Sequence, residues 1–209
     1  MPKLVNHVNY RKQLLAHCFD LFAQRGYSAL TMRQIAEALE VSTGTLYHYF
    51  PTKEALFQQL VEEVTQQTLL EAASQIQPHA TLEERLEALF HFLAEHEEDL
   101  RKQFLVTLDY YQHRDLYGSR AGAILQAGAD RYCQAVKDYV GLPDPQLVFL
   151  LQSQINGLLT LRMLHGITVP FVEQARPFRE MLANYASKTV GATETHSASS
   201  PEAEQREER

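Results

Sequence analysis

The sequence is poor in cysteine. Cys18 and Cys133 are its two thiols, 115 positions apart and without a CxxC pair. That excludes a disulfide framework and a cysteine-rich metal site, and both residues read as reduced members of helical cores. The chain also lacks any uninterrupted apolar run near the roughly 18 residues of a bilayer span. Its first 30 residues lack the basic, apolar and small-residue order of a secretory leader. The expectation is a cytoplasmic protein that does not engage a membrane. There is no glycine-rich phosphate loop and no Ser/His/Asp or Cys/His set in a strand-turn setting, so neither catalysis nor a cofactor is expected. His91 and Glu95 share a helix face next to His96, but that spacing alone is weak, and no metal site is expected. Absent too are alternating Val/Ile runs bounded by hairpin turns, and any repeat of fixed period.

What is present is helical periodicity, with apolar residues recurring at three and four positions almost to residue 190, which predicts an all-α fold. Charge is uneven along it. The net charge is −7, yet residues 1–55 carry six basic groups (Lys3, Arg11, Lys12, Arg25, Arg33, Lys53) against four acidic ones (Asp20, Glu37, Glu40, Glu54). The remainder has 13 basic against 22 acidic groups. An anionic partner is therefore expected at the N-terminal end alone.

Punctuation divides the pattern into helices. The first runs from Arg11 to Arg25, with Asn9 as N-cap and Gly26 as left-handed stop. Thr31 with Gln34 forms a capping pair for a short second helix whose buried stripe is Ile35, Ala36 and Leu39. Ser42 caps an equally short third helix, and Pro51 pushes Phe50 out of helical geometry. Thr52 opens a long helix from Lys53 to about Gln75, ended by Pro78. Thr81 with Glu84 starts the next, and further helices cover about 97–115, 119–140, 144–165 and 171–188, separated by Gly118, Gly141 with Pro143, and Gly166 with Pro170. From Gly191 no large apolar residue remains, so 191–209 is expected to be a disordered tail.

Two short helices joined by Glu40-Val41-Ser42 have the proportions of a helix-turn-helix. In the second, Leu46 and Phe50 can anchor inward while Thr43, Thr45, Tyr47, His48 and Tyr49 present polar groups outward, and Gly44 lets the backbone approach a partner. The runs Phe22-Ala23-Gln24-Arg25-Gly26-Tyr27, Thr31-Met32-Arg33-Gln34-Ile35-Ala36 and Val41 through Leu56 resemble the tetracycline-repressor (TetR) family over about a quarter of the chain.

The resemblance implies an N-terminal three-helix head (1–55) that binds double-stranded operator DNA, followed by a larger helical effector-binding and dimerisation domain (56–190). It implies a homodimeric repressor released from a near-palindromic operator by a small molecule; an activator, a dual regulator, or a ligand-binding helical protein without specific DNA binding are the alternatives. Carried over by position, Thr31 and Arg33 face DNA at the start of the second helix, with Ser42, Thr43, Gly44, Thr45 and His48 at the reading helix. Tyr47, Tyr49 and Lys53 hold phosphates, the alternative for one tyrosine being packing on the first or fourth helix. Two departures stand out: Glu40 where glycine is common in the turn, and Tyr10 where Thr or Ser usually caps.

In the body, Pro145 to His165 is the most apolar helix, with one stripe for its own subunit (Leu147, Leu151, Ile155, Leu158, Arg162) and one (Leu150, Gln154, Gly157, Leu161, His165) for a two-fold mate, joined there by the final helix, the alternative being a fully intramolecular core. Phe92, Phe104, Thr107, Leu108, Tyr111, Tyr132 and Arg162 are the candidate effector-pocket residues, with Tyr110 and His113 on the same helices. Arg162 lies in an apolar run and needs a partner, either an internal carboxylate or an anionic effector.

Overall fold

The computed structural model describes residues 7–76, 80–112, 120–142, 144–166 and 169–197. Every regular element among them is helical: α1 (His7–Arg25), α2 (Met32–Ala38), α3 (Thr43–Tyr49), α4 (Lys53–Gln75), α5 (Leu82–Glu95), α6 (Glu97–Gln112), α7 (Arg120–Ala135), α8 (Pro145–His165) and α9 (Phe171–Ser197). α7 runs on into π-helical turns over Val136–Val140.

The starts follow from side-chain chemistry. Thr31 and Gln34 close a reciprocal capping box, as do Thr81 and Glu84, each satisfying two N–H groups that a helix start leaves open. In the second box the bonds donated by the Thr81 N–H and hydroxyl hold the Glu84 carboxyl below its ordinary pKa. Ser42 accepts from Thr45 N and Thr52 from Ala55 N. Gly26, at φ +82°, ends α1 in the left-handed region that a Cβ disfavours.

Two expectations need correction. α1 begins at His7, so Asn9 lies inside the helix. α9 continues to Ser197, past the Gly191 boundary of the expected tail; 198–209 lie outside the described residues. Pro78, His113, Gly118 and Pro143 also lie outside them.

Two buried clusters organise the helices. The first joins Leu14, Cys18 and Phe22 of α1, Ile35 of α2 and Leu46 with Phe50 around α3 to Leu56, Phe57 and Leu60 of α4 and Val106 and Tyr110 of α6. The N-terminal helices therefore complete their core with residues from beyond position 55. The second gathers Leu86 and Phe90 of α5, Leu147 and Leu151 of α8, and Phe171, Ala175 and Leu182 of α9.

Cys18 is fully buried in the first cluster, and desolvation pushes its thiol up to about 12. The unfolded thiol releases its proton first as pH rises, so above about pH 9 the unfolded state binds fewer protons and stability falls. Denaturant melts should lose up to about 1.4 kcal/mol per pH unit between pH 9 and 11 on this account. In Cys18→Ala that part of the slope should vanish, and an unchanged slope would refute the assignment.

Candidate DNA-reading head and effector cavity

The helix-turn-helix is held from below. Leu46 and Phe50 are fully buried, which fixes the roll of α3 and turns its opposite face outward. The turn closes through Leu39 N to Ile35 O (3.0 Å) and Val41 N to Ala36 O (3.0 Å). Glu40 lies between them at φ +54°, the sole positive-φ residue other than glycine in the described chain. A glutamate there costs about 1 kcal/mol relative to a residue at ease in the left-handed region.

The candidate DNA contacts fall into two groups. Arg33, Thr43, Gly44, Tyr47 and His48 are exposed, with Tyr47 49% accessible. Thr31 and Ser42 are exposed as well, but their hydroxyls already serve caps: Thr31 Oγ1 donates to Gln34 Oε1 (2.8 Å) and accepts from Gln34 N, while Ser42 Oγ accepts from Thr45 N (2.9 Å) and lies 2.8 Å from Thr45 Oγ1. Tyr49 turns toward α1. Its ring packs 5.6 Å from that of Tyr10 and its hydroxyl is 2.8 Å from His7 Nδ1, so the packing alternative holds for Tyr49. Lys53 Nζ sits 4.1 Å above the Tyr27 ring, a cation–π contact that places the ammonium at the N-terminus of α4.

His7 is a residue sequence reading missed. Its ring lies 6.4 Å from that of His48, and starting α1 at Arg11 hid it. Arg11 and Lys12, counted in the basic excess of the N-terminal segment, are tied to α4 through Gln59 (2.7 Å) and Glu63 (2.6 Å).

Helix α6 carries the head on one face and lines a cavity with the other. Asp109 receives Ser28 N at 2.8 Å and Ser28 Oγ at 3.0 Å, clamping the α1–α2 loop. The Tyr110 ring stacks on Phe57 at 3.8 Å and meets Tyr27 edge-on at 5.0 Å. Lys102 donates to Asp20 of α1 at 3.0 Å.

The cavity has a volume of about 330 Å³ and is bounded by α4, α5, α6, α7 with its π-helical turns, and α8. Of the candidate pocket residues, Phe92, Phe104, Thr107 and Tyr132 line it. Leu108 and Tyr111 do not. They are 39% and 54% exposed, although each stands one turn beyond a lining residue, Leu108 four positions after Phe104 and Tyr111 four after Thr107. Arg162 is also excluded. It donates from Nε and Nη2 to the Glu97 carboxylate (2.6 and 3.0 Å) and from Nη1 to Gln174 Oε1 (2.6 Å), and stands 5.6 Å from the centre of the Phe171 ring. The internal carboxylate is thus Glu97, and Arg162 fastens α8 to α6 and α9.

Sequence reading missed Thr65, Thr68, Gln103, Gln152 and Asn156 in the lining. Gln103 Nε2 donates to Tyr132 Oη at 2.7 Å. Thr65 is 1% exposed and stands alone as a buried polar residue among those described. Its hydroxyl has no hydrogen-bond partner, a state that costs about 1–3 kcal/mol when nothing fills it. The signal was the spacing Phe57, Val61, Thr65, Thr68, Ala72, one face of α4 with hydroxyls in an apolar stripe. At Gly128, α7 approaches α4 closely enough that a Cβ would stand 3.5 Å from Val61 Cγ1 and 3.9 Å from Thr65 Oγ1. His91 Nε2 lies 4.0 Å from Glu87, and the His96 ring stacks on Phe92.

Replacing Arg162 by Met keeps the apolar stem and removes the charge-assisted bonds. Thermal or urea unfolding should show a loss of roughly 2 kcal/mol, discounted for the partial exposure of Glu97. An unchanged midpoint would contradict the clamp.

Residues 14–60, which span α1 from Leu14 through the first turns of α4, match the family model for bacterial regulatory proteins, tetR family. The "Probable HTH-type transcriptional regulator YttP" of Bacillus subtilis is 28% identical over 156 residues, 70% of this chain and 75% of that protein. The HTH-type transcriptional repressor KstR2 of Mycobacterium tuberculosis is 32% identical over 91 residues, 43% of this chain and 46% of the repressor, so that match spans under half of its length. The fold resembles that of the transcriptional regulator FadR from Bacillus subtilis, solved in complex with stearoyl-CoA, with a TM-score of 0.62 at 21% identity over 82% of this chain and 97% of that one. Residues 14–60 thus match the tetR family of bacterial regulatory proteins, and the described helices take up a fold similar to that of a solved transcriptional regulator.

Proposed function

We propose that the chain is a dimeric transcriptional repressor that reads a near-palindromic operator with α3 and leaves it when a small molecule fills the cavity. The observation that carries the reading is α3 itself: fixed by two buried side chains, capped by Ser42, and exposing Thr43, Gly44, Tyr47 and His48 on one surface. Short polar groups at a helix start fit a major groove, and the exposed Arg33 and the Lys53 ammonium at the α4 N-terminus suit the flanking phosphates. Such a protein works where bacterial DNA is, in the cytoplasm. Relatives named as a transcriptional repressor and as a regulator holding stearoyl-CoA support both halves of the proposal.

An apolar surface on α8 and α9 supports dimerisation. Phe149 and Leu164 are each 72% exposed, joined by Leu150, Leu161, Met181 and Tyr185. Gly157 has open space where a Cβ would stand. By length and composition α8 is the one described helix apolar enough to cross a membrane, yet it places Gln152 and Asn156 in the cavity and Arg162 in an ion pair. A second copy covering its outer face accounts for both properties.

Release would run through α4 and α6, the helices common to the cavity and the head. Thr107 lines the cavity two residues before Asp109 grips Ser28. A ligand that shifts α6 therefore moves the α1–α2 loop and changes the separation of the two reading helices.

Selection from a random duplex pool should recover a palindrome bound with strong salt dependence, and Tyr47→Ala should weaken that binding about 10-fold to 100-fold. Weak, sequence-indifferent binding would defeat the reading. Separately, sedimentation should find wild type dimeric and Phe149→Glu/Leu164→Glu monomeric with reduced operator affinity; a monomeric wild type would remove the dimer.

A further inference from the structure

The chemistry of the cavity narrows what can fill it. None of its described lining residues is charged; hydrocarbon side chains are interrupted by Thr65, Thr68, Gln103, Thr107, Gln152 and Asn156 as the main hydrogen-bonding groups. A carboxylate or ammonium enclosed there would lose its hydration without gaining a counter-charge. A smaller cleft of about 200 Å³ adjoins on the α4–α7 side, sharing Val61, Thr65 and Gly128 with the cavity. Its charged members are Glu62 and Arg131, one of each sign, so it offers no net attraction to an anionic headgroup.

Within this uncharged space Thr65 supplies the one fully buried side-chain polar atom, among the described residues, that lacks a hydrogen-bond partner. Thr65 Oγ1 is buried, lacks a hydrogen-bond partner, and belongs to a residue lining both the cavity and the cleft that adjoins it. Gln103 and Tyr132, by contrast, already bond each other. Resting on the effector-responsive reading above, we infer that the effector is an uncharged, largely apolar molecule whose single neutral oxygen, a hydroxyl or carbonyl, hydrogen-bonds Thr65. Its hydrocarbon body lies among Leu69, Leu89, Phe92, Phe104 and Leu159. A hydroxyl both donates and accepts, so Thr65 serves an alcohol and a carbonyl alike. The site also sits on α4, five residues beyond Leu60 of the head core, so occupancy is felt by the helix that begins at Lys53.

Calorimetric titration of the full chain tests this with a flexible probe set (dodecan-1-ol, methyl dodecanoate, dodecanoate, dodecanoyl-CoA, each below its aggregation limit) and a rigid neutral monoketone, 5α-androstan-17-one. The expected result is binding of one neutral probe per chain, from the flexible arm, the rigid arm or both, with dodecanoate at least tenfold weaker than its methyl ester. Thr65→Val should weaken the neutral probe about tenfold, the worth of one hydrogen bond. Thr65→Ser should restore it, and the ligand-free melting temperature of Thr65→Val should be no lower than wild type, which shows that the variant folds. Tighter binding of dodecanoate or dodecanoyl-CoA, indifference to Thr65→Val, or no binding in either arm would overturn the inference. Operator release is read separately in the same samples. Thr65-dependent binding without release would leave the inference standing and refute the effector reading, whereas release by a charged molecule alone would do the reverse.

Discussion

The stack of Tyr110 on Phe57, 3.8 Å apart and 10° from parallel, with Tyr27 edge-on to both rings, is the contact the rest of the structure depends on. Three helices totalling 33 residues form a head too small to bury a sufficient core alone. They complete it by taking Leu56, Phe57 and Leu60 from α4 and Val106 and Tyr110 from α6. Because those two helices also wall the cavity, the head cannot be stabilised without being coupled to the cavity. The stability of the head and the shape of the cavity thus rest on the same two helices.

Local grammar was legible. Capping residues named the starts of α2, α3, α4 and α5 because a cap is decided by side chains three positions apart. The stop at Gly26 and the inward pair Leu46 and Phe50 follow from equally short-range rules. Glu40 was recognisable as unusual, and the chain nonetheless adopts the left-handed conformation there. The buried anchors on either side, Ile35 and Leu46, hold the turn against that cost.

What was not legible depends on partners far away in sequence. Nothing near Arg162 announces that Glu97, 65 positions earlier, would meet it, and the same distance problem hid the tie of Arg11 and Lys12 to α4. Leu108 and Tyr111 illustrate a different failure: both follow lining residues at the i+4 spacing, so pattern and residue type group them with Phe104 and Thr107, yet both side chains are exposed and outside the lining. Thr65 was missed for the opposite reason, since a threonine in an apolar stripe has nothing in its type to distinguish a core position from a binding one. The unpartnered hydroxyl, visible once α7 is laid against α4, makes the difference.

The energetics then constrain how a ligand could act. A molecule shifts the operator equilibrium only by its difference in affinity for the two shapes of the protein, typically 1–3 kcal/mol in coupled sites. Apolar burial is poor at making such a difference, because hydrocarbon contacts survive small displacements of their neighbours. A hydrogen bond does not, since its strength falls steeply with distance and angle. A single directional contact on α4 inside an otherwise greasy cavity therefore separates two tasks: hydrocarbon supplies affinity, and the Thr65 bond makes that affinity sensitive to where α4 stands. By reciprocity, operator bound at α3 would lower the affinity for the cavity ligand by the same factor. On that proposal, a cavity built almost wholly of hydrocarbon still needs its one buried hydroxyl on α4, the helix that starts beside the helix-turn-helix.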